Sequence, residues 1–147
     1  MTMKRIGFLL ALLLSSACAG NQTTLDHLRD DLAFFHHHLV GGDFVEAAAY
    51  VSPEAMDTYQ EMHDPARNAP HLEDFTLLSL REDPDHKATA VIQADTRRHD
   101  SLTIRSVRYR ELWLETPAGW RLLEMEVLGP RSQLPTGALP EDRTVTH

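Results

Sequence analysis

Histidine is the residue type in this sequence that most invites a chemical interpretation, because imidazole binds metals and titrates near neutral pH. Three of the nine histidines are consecutive, His36-His37-His38. Successive helical residues point about 100° apart, so these three side chains cannot converge on one ion. A better set, His27, Asp31 and His38, shares one helix face, but Asp31 and His38 lie about 10 Å apart along the axis at about 1.5 Å per residue. We therefore predict no metal and no cofactor, and interpret the histidines as a polar flank beside an apolar stripe.

The sequence also lacks the signatures of several other sites. It has no GxSxG nucleophile motif and no Gly-rich phosphate loop. Its one cysteine, Cys18, excludes an intramolecular disulfide, a four-cysteine zinc site and a CxxC redox pair. With 22 acidic and 14 basic residues the formal charge is −8, which argues against broad nucleic-acid binding. We predict no nucleic-acid partner.

Cys18 follows a segment unlike the rest of the chain. Two basic residues, Lys4 and Arg5, precede an apolar run over 6–14, and the small residues at 15–17 lead into the cysteine. The run is too short for a spanning helix, which needs about 20 residues, and the order of the three regions fits an export signal.

The segment Leu14-Ser15-Ser16-Ala17-Cys18 resembles a bacterial lipoprotein signal, although Ser15 stands where that family usually has Leu. The resemblance implies removal of a signal peptide at 1–17, acylation of Cys18 and a short tether over 18–24. Ala19, in place of Asp, points to the outer membrane, with the protein facing the periplasm. The alternative is an ordinary secretory signal that leaves Cys18 free.

Helical periodicity follows the tether. Leu residues and one Phe recur at three- and four-residue steps between Leu25 and Leu39, and Gly41-Gly42 ends this helix. Asp43 can cap a second short helix, and Ser52-Pro53-Glu54 has the cap, first-turn proline and acidic residue of a third helix that ends near Met62.

The second half of the chain has the pattern of strands. Short turns separate four segments that we predict as an antiparallel meander, at 71–81, 88–96, 102–115 and 120–127. The tail over 129–147 has few apolar residues and no period, and we predict that it is mobile. Helices followed by an antiparallel sheet indicate an α+β domain.

Two stretches resemble the nuclear transport factor 2-like superfamily, which includes SnoaL-like and ketosteroid-isomerase-like proteins. Residues 42–54, GDFVEAAAYVSPE, look like its helix-turn-helix, and residues 108–115 with Gly119-Trp120-Arg121-Leu122 look like its last hairpin. The resemblance implies a domain over 25–128. It would be a cone-shaped roll, with three N-terminal helices packed on a curved antiparallel sheet of about four strands.

The same resemblance implies an apolar pocket inside the cone, which some members use for isomerisation or dehydration and others only for binding. The titratable residues on the elements that would line it are Tyr50, Tyr59, Asp95, Tyr109 and Glu111. Alternation places Tyr109 and Glu111 on one face of the third strand, without deciding which face points inward. No known catalytic set is matched, so we assign no catalytic residue.

We therefore expect a membrane-anchored envelope lipoprotein that acts as a ligand-binding or assembly module. The bilayer would be its partner through Cys18, together with a hydrophobic small molecule or an envelope protein. One alternative is a small isomerase or dehydratase that uses the cone pocket, and another is a structural protein that forms a homodimer. Five arginines on or beside the strands would either pair across the sheet with glutamates of the last two strands or bind an anionic envelope component. The arginines are Arg97, Arg98, Arg105, Arg108 and Arg110, and the glutamates are Glu111, Glu115, Glu124 and Glu126.

Overall fold

The computed structural model describes residues 19–129, with side chains from Thr24 onward, so the predicted signal, Cys18 and the tail from 130 lie outside the described residues. Helical segments come first and strands follow. The elements are α1 (Ala19–Gly41), α2 (Phe44–Ala48), a 3-10 turn (Pro53–Ala55), α3 (Met56–His63), a second 3-10 turn (Pro65–Arg67), β1 (His71–Asp83), β2 (Lys87–Arg97), β3 (Ile104–Thr116) and β4 (Gly119–Leu128).

Helix α1 provides the apolar surface on which the sheet packs. Its leucines and Phe35 recur on one side, and Leu28, Leu32, Phe35 and Leu39 are buried. The helix begins at Ala19, six residues before the predicted start, so the segment predicted as a tether is helical from Ala19. This polar stretch contains no proline. Extension of a helix that has already formed costs little, because the unfavourable step in helix formation is nucleation.

The end of α1 follows the prediction. Gly42 adopts the left-handed conformation (φ 79°) that favours glycine, and its N–H donates to the carbonyl of Leu39 at 3.1 Å. Asp43 precedes α2 as expected but makes no side-chain capping hydrogen bond. Its carboxylate instead lies 3.7 Å from Nδ1 of His38.

The four strands form one antiparallel sheet in the order β1-β2-β3-β4, which confirms the predicted meander and the α+β fold class. Alternate residues of β2 from Ala88 to Thr96 are buried, and in β3 the buried positions are Tyr109, Glu111 and Trp113. Register pairs Ile92 with Tyr109 and Ala90 with Glu111. These residues therefore share the face that packs on α1, which settles the direction that alternation alone left open.

The link between α2 and α3 joins the sheet at its β4 edge. The Ser52 N–H donates to the Leu122 carbonyl at 2.9 Å, and the Leu122 N–H donates to the Tyr50 carbonyl at 2.7 Å. Across the described part of the chain, no helix is long and apolar enough to cross a membrane.

Candidate functional site

A polar network lies in the middle of the core, between α1 and β3. Nε2 of His36 is 3.0 Å from Oε1 of Glu111, and the Trp113 indole N–H donates to Oε2 of the same carboxylate at 3.1 Å. Nδ1 of His36 lies 2.9 Å from the Leu32 carbonyl oxygen, one turn back along α1. All five polar side-chain atoms of His36, Glu111 and Trp113 therefore have partners, although His36 is 2% exposed and the other two residues are 0% exposed.

The local geometry fixes the protons of this network. A carbonyl oxygen only accepts, so Nδ1 of His36 carries a proton and donates to Leu32. Nε2 and Glu111 then hold one further proton between them, as imidazolium and carboxylate or as imidazole and carboxylic acid. Burial alone would lower the pKa of His36, but the charge and hydrogen bond of Glu111 and the Leu32 carbonyl together raise it. The ion-pair form is thus the favoured one.

A second histidine, His63 at the end of α3, lies close to this network without joining it. Its ring centroid is 5.6 Å from that of Tyr59 and 6.2 Å from that of Tyr109. Nε2 of His63 is buried and has no hydrogen-bond partner within the described residues. Burial, with a smaller contribution from the charge of His36, lowers the pKa of His63 to about 3. The ring is therefore neutral at physiological pH.

A narrow cleft opens beside His63, at the end of the molecule where α1 stops and β1 starts. Leu39, Phe44, His71 and His99 are among its other lining residues. Its free volume of about 30 Å³ is enough for about one water molecule. A substrate-sized molecule does not fit there in this arrangement.

Three of the five residues predicted for the pocket lie in the core. Tyr59 is 0% exposed, and its hydroxyl donates to the Phe44 carbonyl at 2.6 Å. Tyr109 and Glu111 share the inner face of β3, and burial, with the charge of Glu111 second, raises the pKa of Tyr109. Burial likewise raises the pKa of Tyr59, with a smaller effect of Asp64.

The other two predicted residues are not brought to this site. Tyr50 is half-buried at the margin, with its ring 6.4 Å from that of Phe35. Asp95 lies on the opposite face of the sheet and accepts a hydrogen bond from the hydroxyl of Ser106, its register partner. The expectation that Asp95 lines the pocket is therefore wrong, because the buried residues of β2 are the even-numbered ones.

The histidines required the largest correction. His37 is exposed, as a polar flank should be, but His36 is buried. A signal for this was present: position 36 lies four residues after Leu32 and three before Leu39, so it belongs to the apolar stripe. His63 was not singled out, because it follows the predicted end of its helix.

Two members of the set of His27, Asp31 and His38 have structural partners. Oδ2 of Asp31 accepts from the Trp120 backbone N–H at 3.0 Å, which ties α1 to the start of β4. His38 faces the carboxylate of Asp43. Within the described residues no group of three or more His, Cys, Asp or Glu side chains could hold a metal ion.

Most of the strand arginines have acidic partners. Arg110 pairs with Glu126 across β3 and β4, Arg97 pairs with Glu73 at 2.6 Å, and Arg98 with Asp100 at 3.2 Å. Only the first of these is the predicted pairing with a glutamate of β3 or β4. Glu111, one of the expected acceptors, is turned to the core.

Comparison with known proteins places the fold. No protein-family model matches the chain, and no curated protein matches it either. A crystal structure of an NTF2-like protein with a cystatin-like fold from Novosphingobium aromaticivorans is similar, with 18% identity, a TM-score of 0.52, and coverage of 85% of this chain and 90% of that one. A SEC-C motif containing protein from Rhodopseudomonas palustris, known from a solution structure, is similar with 20% identity, a TM-score of 0.50, and coverage of 64% and 73%.

At these identities the likeness concerns the fold alone. The chain has an NTF2-like, cystatin-like fold, in which four antiparallel strands follow a few helices.

Proposed function

We propose that this protein is a bacterial envelope lipoprotein, anchored through acylated Cys18 and facing the periplasm. Its NTF2-like domain, a cone-shaped roll, acts as a binding or assembly module and not as an enzyme. Support for the anchor comes from the sequence: the basic, apolar and small-residue regions lead directly into the sole cysteine. Acyl chains on one residue give stable attachment, since each buried methylene contributes about 0.8 kcal/mol.

The burial of the polar network is the observation that supports a non-catalytic function. A general acid or base must come within hydrogen-bond reach of the substrate. His36 and Glu111 are at most 2% exposed, and both oxygens of the carboxylate are already used. Such a network stabilises the contact between α1 and β3, and the cleft beside His63 holds about one water molecule. A ligand or partner could therefore bind at the surface of this domain, whereas a substrate could not reach the buried acid and base.

Replacement of Cys18 with Ala tests the anchor. We expect the wild-type protein in the membrane fraction, labelled by a metabolically supplied fatty acid. The variant should lose both the label and the membrane attachment. Ser15→Leu, which restores the usual residue of a lipoprotein signal, is the control and should keep both. Unchanged attachment of the Cys18→Ala variant would contradict the proposal.

A second candidate function, an isomerase or dehydratase, is favoured by one observation. Glu111 is a buried carboxyl group, and Tyr109, whose pKa is raised by burial and second by the charge of Glu111, lies two residues away on the same face. Opening of the core would bring an acid, a base and a phenol together. Deuterium incorporation next to the carbonyl of a hydrophobic cyclic ketone, followed by NMR in D2O, tests this. Incorporation that disappears in Glu111→Gln would favour the enzyme, whereas none above the buffer rate supports the binding module.

A further inference from the structure

We propose that a groove at the end of β4 binds an amphiphile with one anionic headgroup, its alkyl chain on Leu78 and Leu128 and its headgroup on Arg108. The groove crosses the sheet from β1 to β4 and has a volume of about 500 Å³. Ligand sites of this size are mostly apolar, with a few polar groups that orient the ligand. This inference deepens the proposed function by naming a site and a ligand class, and it rests on that function for its biological role.

Apolar side chains form the walls of the groove. Leu78 is 48% exposed. The register between β1 and β2 shifts between Leu77 and Ser79, so Leu78 is the extra residue of a bulge and has no partner on β2. Leu128 ends β4 and is half-buried, and as the register partner of Arg108 it lies on the same face of the sheet. An alkyl chain in the groove would cover both leucines.

Arg108 supplies a charge that has no acidic partner among residues 24–129. Its neighbour on β3, Arg110, pairs with Glu126, and the arginines of the β2 end pair with Glu73 and Asp100. Arg108 makes only a 3.5 Å contact from Nη2 to the Gly129 carbonyl within the described residues, and it forms no ion pair there.

The other polar groups near Arg108 fit an anion as well. Gln93, its register partner on β2, lines the groove and can donate from its amide. The two acidic positions diagonal to Arg108 in the register are both engaged, since Asp95 accepts a hydrogen bond from Ser106 and Glu126 pairs with Arg110. A guanidinium binds carboxylate and phosphate through two parallel hydrogen bonds. A single cation beside an apolar wall is complementary to a ligand that has one anionic headgroup and one alkyl chain.

The experiment uses the unlipidated chain over 19–147, which contains every element of the described fold, so its outcome is independent of membrane attachment. Laurate, dodecyl phosphate and dodecyltrimethylammonium, all below their micellar concentrations, are titrated by isothermal calorimetry and by NMR. We expect one site for an anionic amphiphile, with shifted resonances at Leu78 and Leu128. The comparison of laurate with dodecyl phosphate distinguishes a fatty acid from a phospholipid source. The cationic amphiphile should bind at least about tenfold more weakly.

Two variants locate the site. Arg108→Gln should weaken binding of the anionic amphiphile by about tenfold or more. Arg105→Gln, an exposed arginine three residues away that does not line the groove, is the matched control and should bind as the wild type does.

Four results would overturn the proposal. They are equal binding of cationic and anionic amphiphiles, equal loss in both arginine variants, binding that appears only when the chain is ended at Gly129, and a dimer in which the groove resonances are protected. The third result would make the chain's own tail the occupant, and the fourth a second copy.

Discussion

Replacement of His63 with Phe should remove a loss of stability that the wild-type protein shows below pH 6.5. The folded state holds this imidazole neutral, with a pKa of about 3, while the unfolded chain protonates it near 6.5. A group with a depressed folded pKa contributes stability that is present above the unfolded value and is lost as the pH falls toward the folded value. Phenylalanine has a ring of similar size without a titratable nitrogen. It therefore keeps the contacts with Tyr59 and Tyr109 and lacks the pH dependence.

The size of the effect follows from those two pKa values. One pKa unit corresponds to about 1.4 kcal/mol, so lowering the pH from 7.5 to 5.0 should cost the wild type about 2 kcal/mol relative to the variant. This is an upper value, because relaxation around the protonated ring would reduce it. His36 is present in both proteins, so its own contribution cancels in the difference between them. Its pKa is raised, so that contribution is fully present below 6.5 and is lost as the pH rises from 6.5 through the folded value.

Urea unfolding, followed by fluorescence of the buried Trp113 and Trp120, measures the difference. The quantity to compare is the free energy of unfolding of wild type minus variant at pH 5.0, 6.0 and 7.5. His99→Gln, an exposed histidine of the same cleft, controls for the loss of one histidine. A difference that stays constant within about 0.5 kcal/mol from pH 7.5 to 5.0 would refute the reasoning. So would a pKa of His63 near 6.5 by NMR.

Three further predictions concern side chains that hold the core together. Glu111→Leu should lower the free energy of unfolding by about 3–5 kcal/mol, measured in urea, because it leaves His36 buried without its acceptor. Addition of His36→Leu should restore part of the loss, and a double variant no more stable than the single one would contradict this account. Tyr59→Phe should cost about 1 kcal/mol in the same assay, since its hydroxyl donates to a backbone carbonyl of the α2 segment. Asp31→Ala should speed amide hydrogen exchange at Trp120, because the Asp31 carboxylate accepts a hydrogen bond from the Trp120 backbone N–H. Unchanged exchange would show that this hydrogen bond is not formed in solution.

The strands could be predicted from sequence because the signals that define them are local. The turn residues at 84–86 and 117–118 fix the hairpins, and alternation over 88–96 places small and branched residues on one face. The start of α1 was less predictable, since its first turns are polar and carry no periodic signal. Which face of β3 points inward depends on contacts with α1, and the bulge that exposes Leu78 depends on pairing with β2. No local sequence pattern determines the inward face of β3 or the position of the bulge in β1.

The candidate site was predictable in part for the same reason. Alternation grouped Tyr109, Glu111 and Trp113, but a glutamate on a strand is usually solvated, so its burial depends on a partner 75 positions away. That partner, His36, lies within the apolar stripe of α1 and could have been identified from its spacing to Leu32. The pairing of His36 with Glu111 could not be predicted from the sequence, because it depends on how the fold brings α1 and β3 together.

The same pair raises the question of why this domain keeps a charge in its core. Apolar side chains of similar volume would often be as stable as a buried ion pair, so stability alone does not explain it. An apolar contact between α1 and β3 would allow the helix to slide or rotate by a step. The His36–Glu111 hydrogen bond, with Trp113 and the Leu32 carbonyl filling the remaining positions, is satisfied in one arrangement only. Specificity of packing is thus the role that the geometry best supports, and it predicts that the His36→Leu, Glu111→Leu double variant stays folded but gives broader side-chain NMR signals than the wild type.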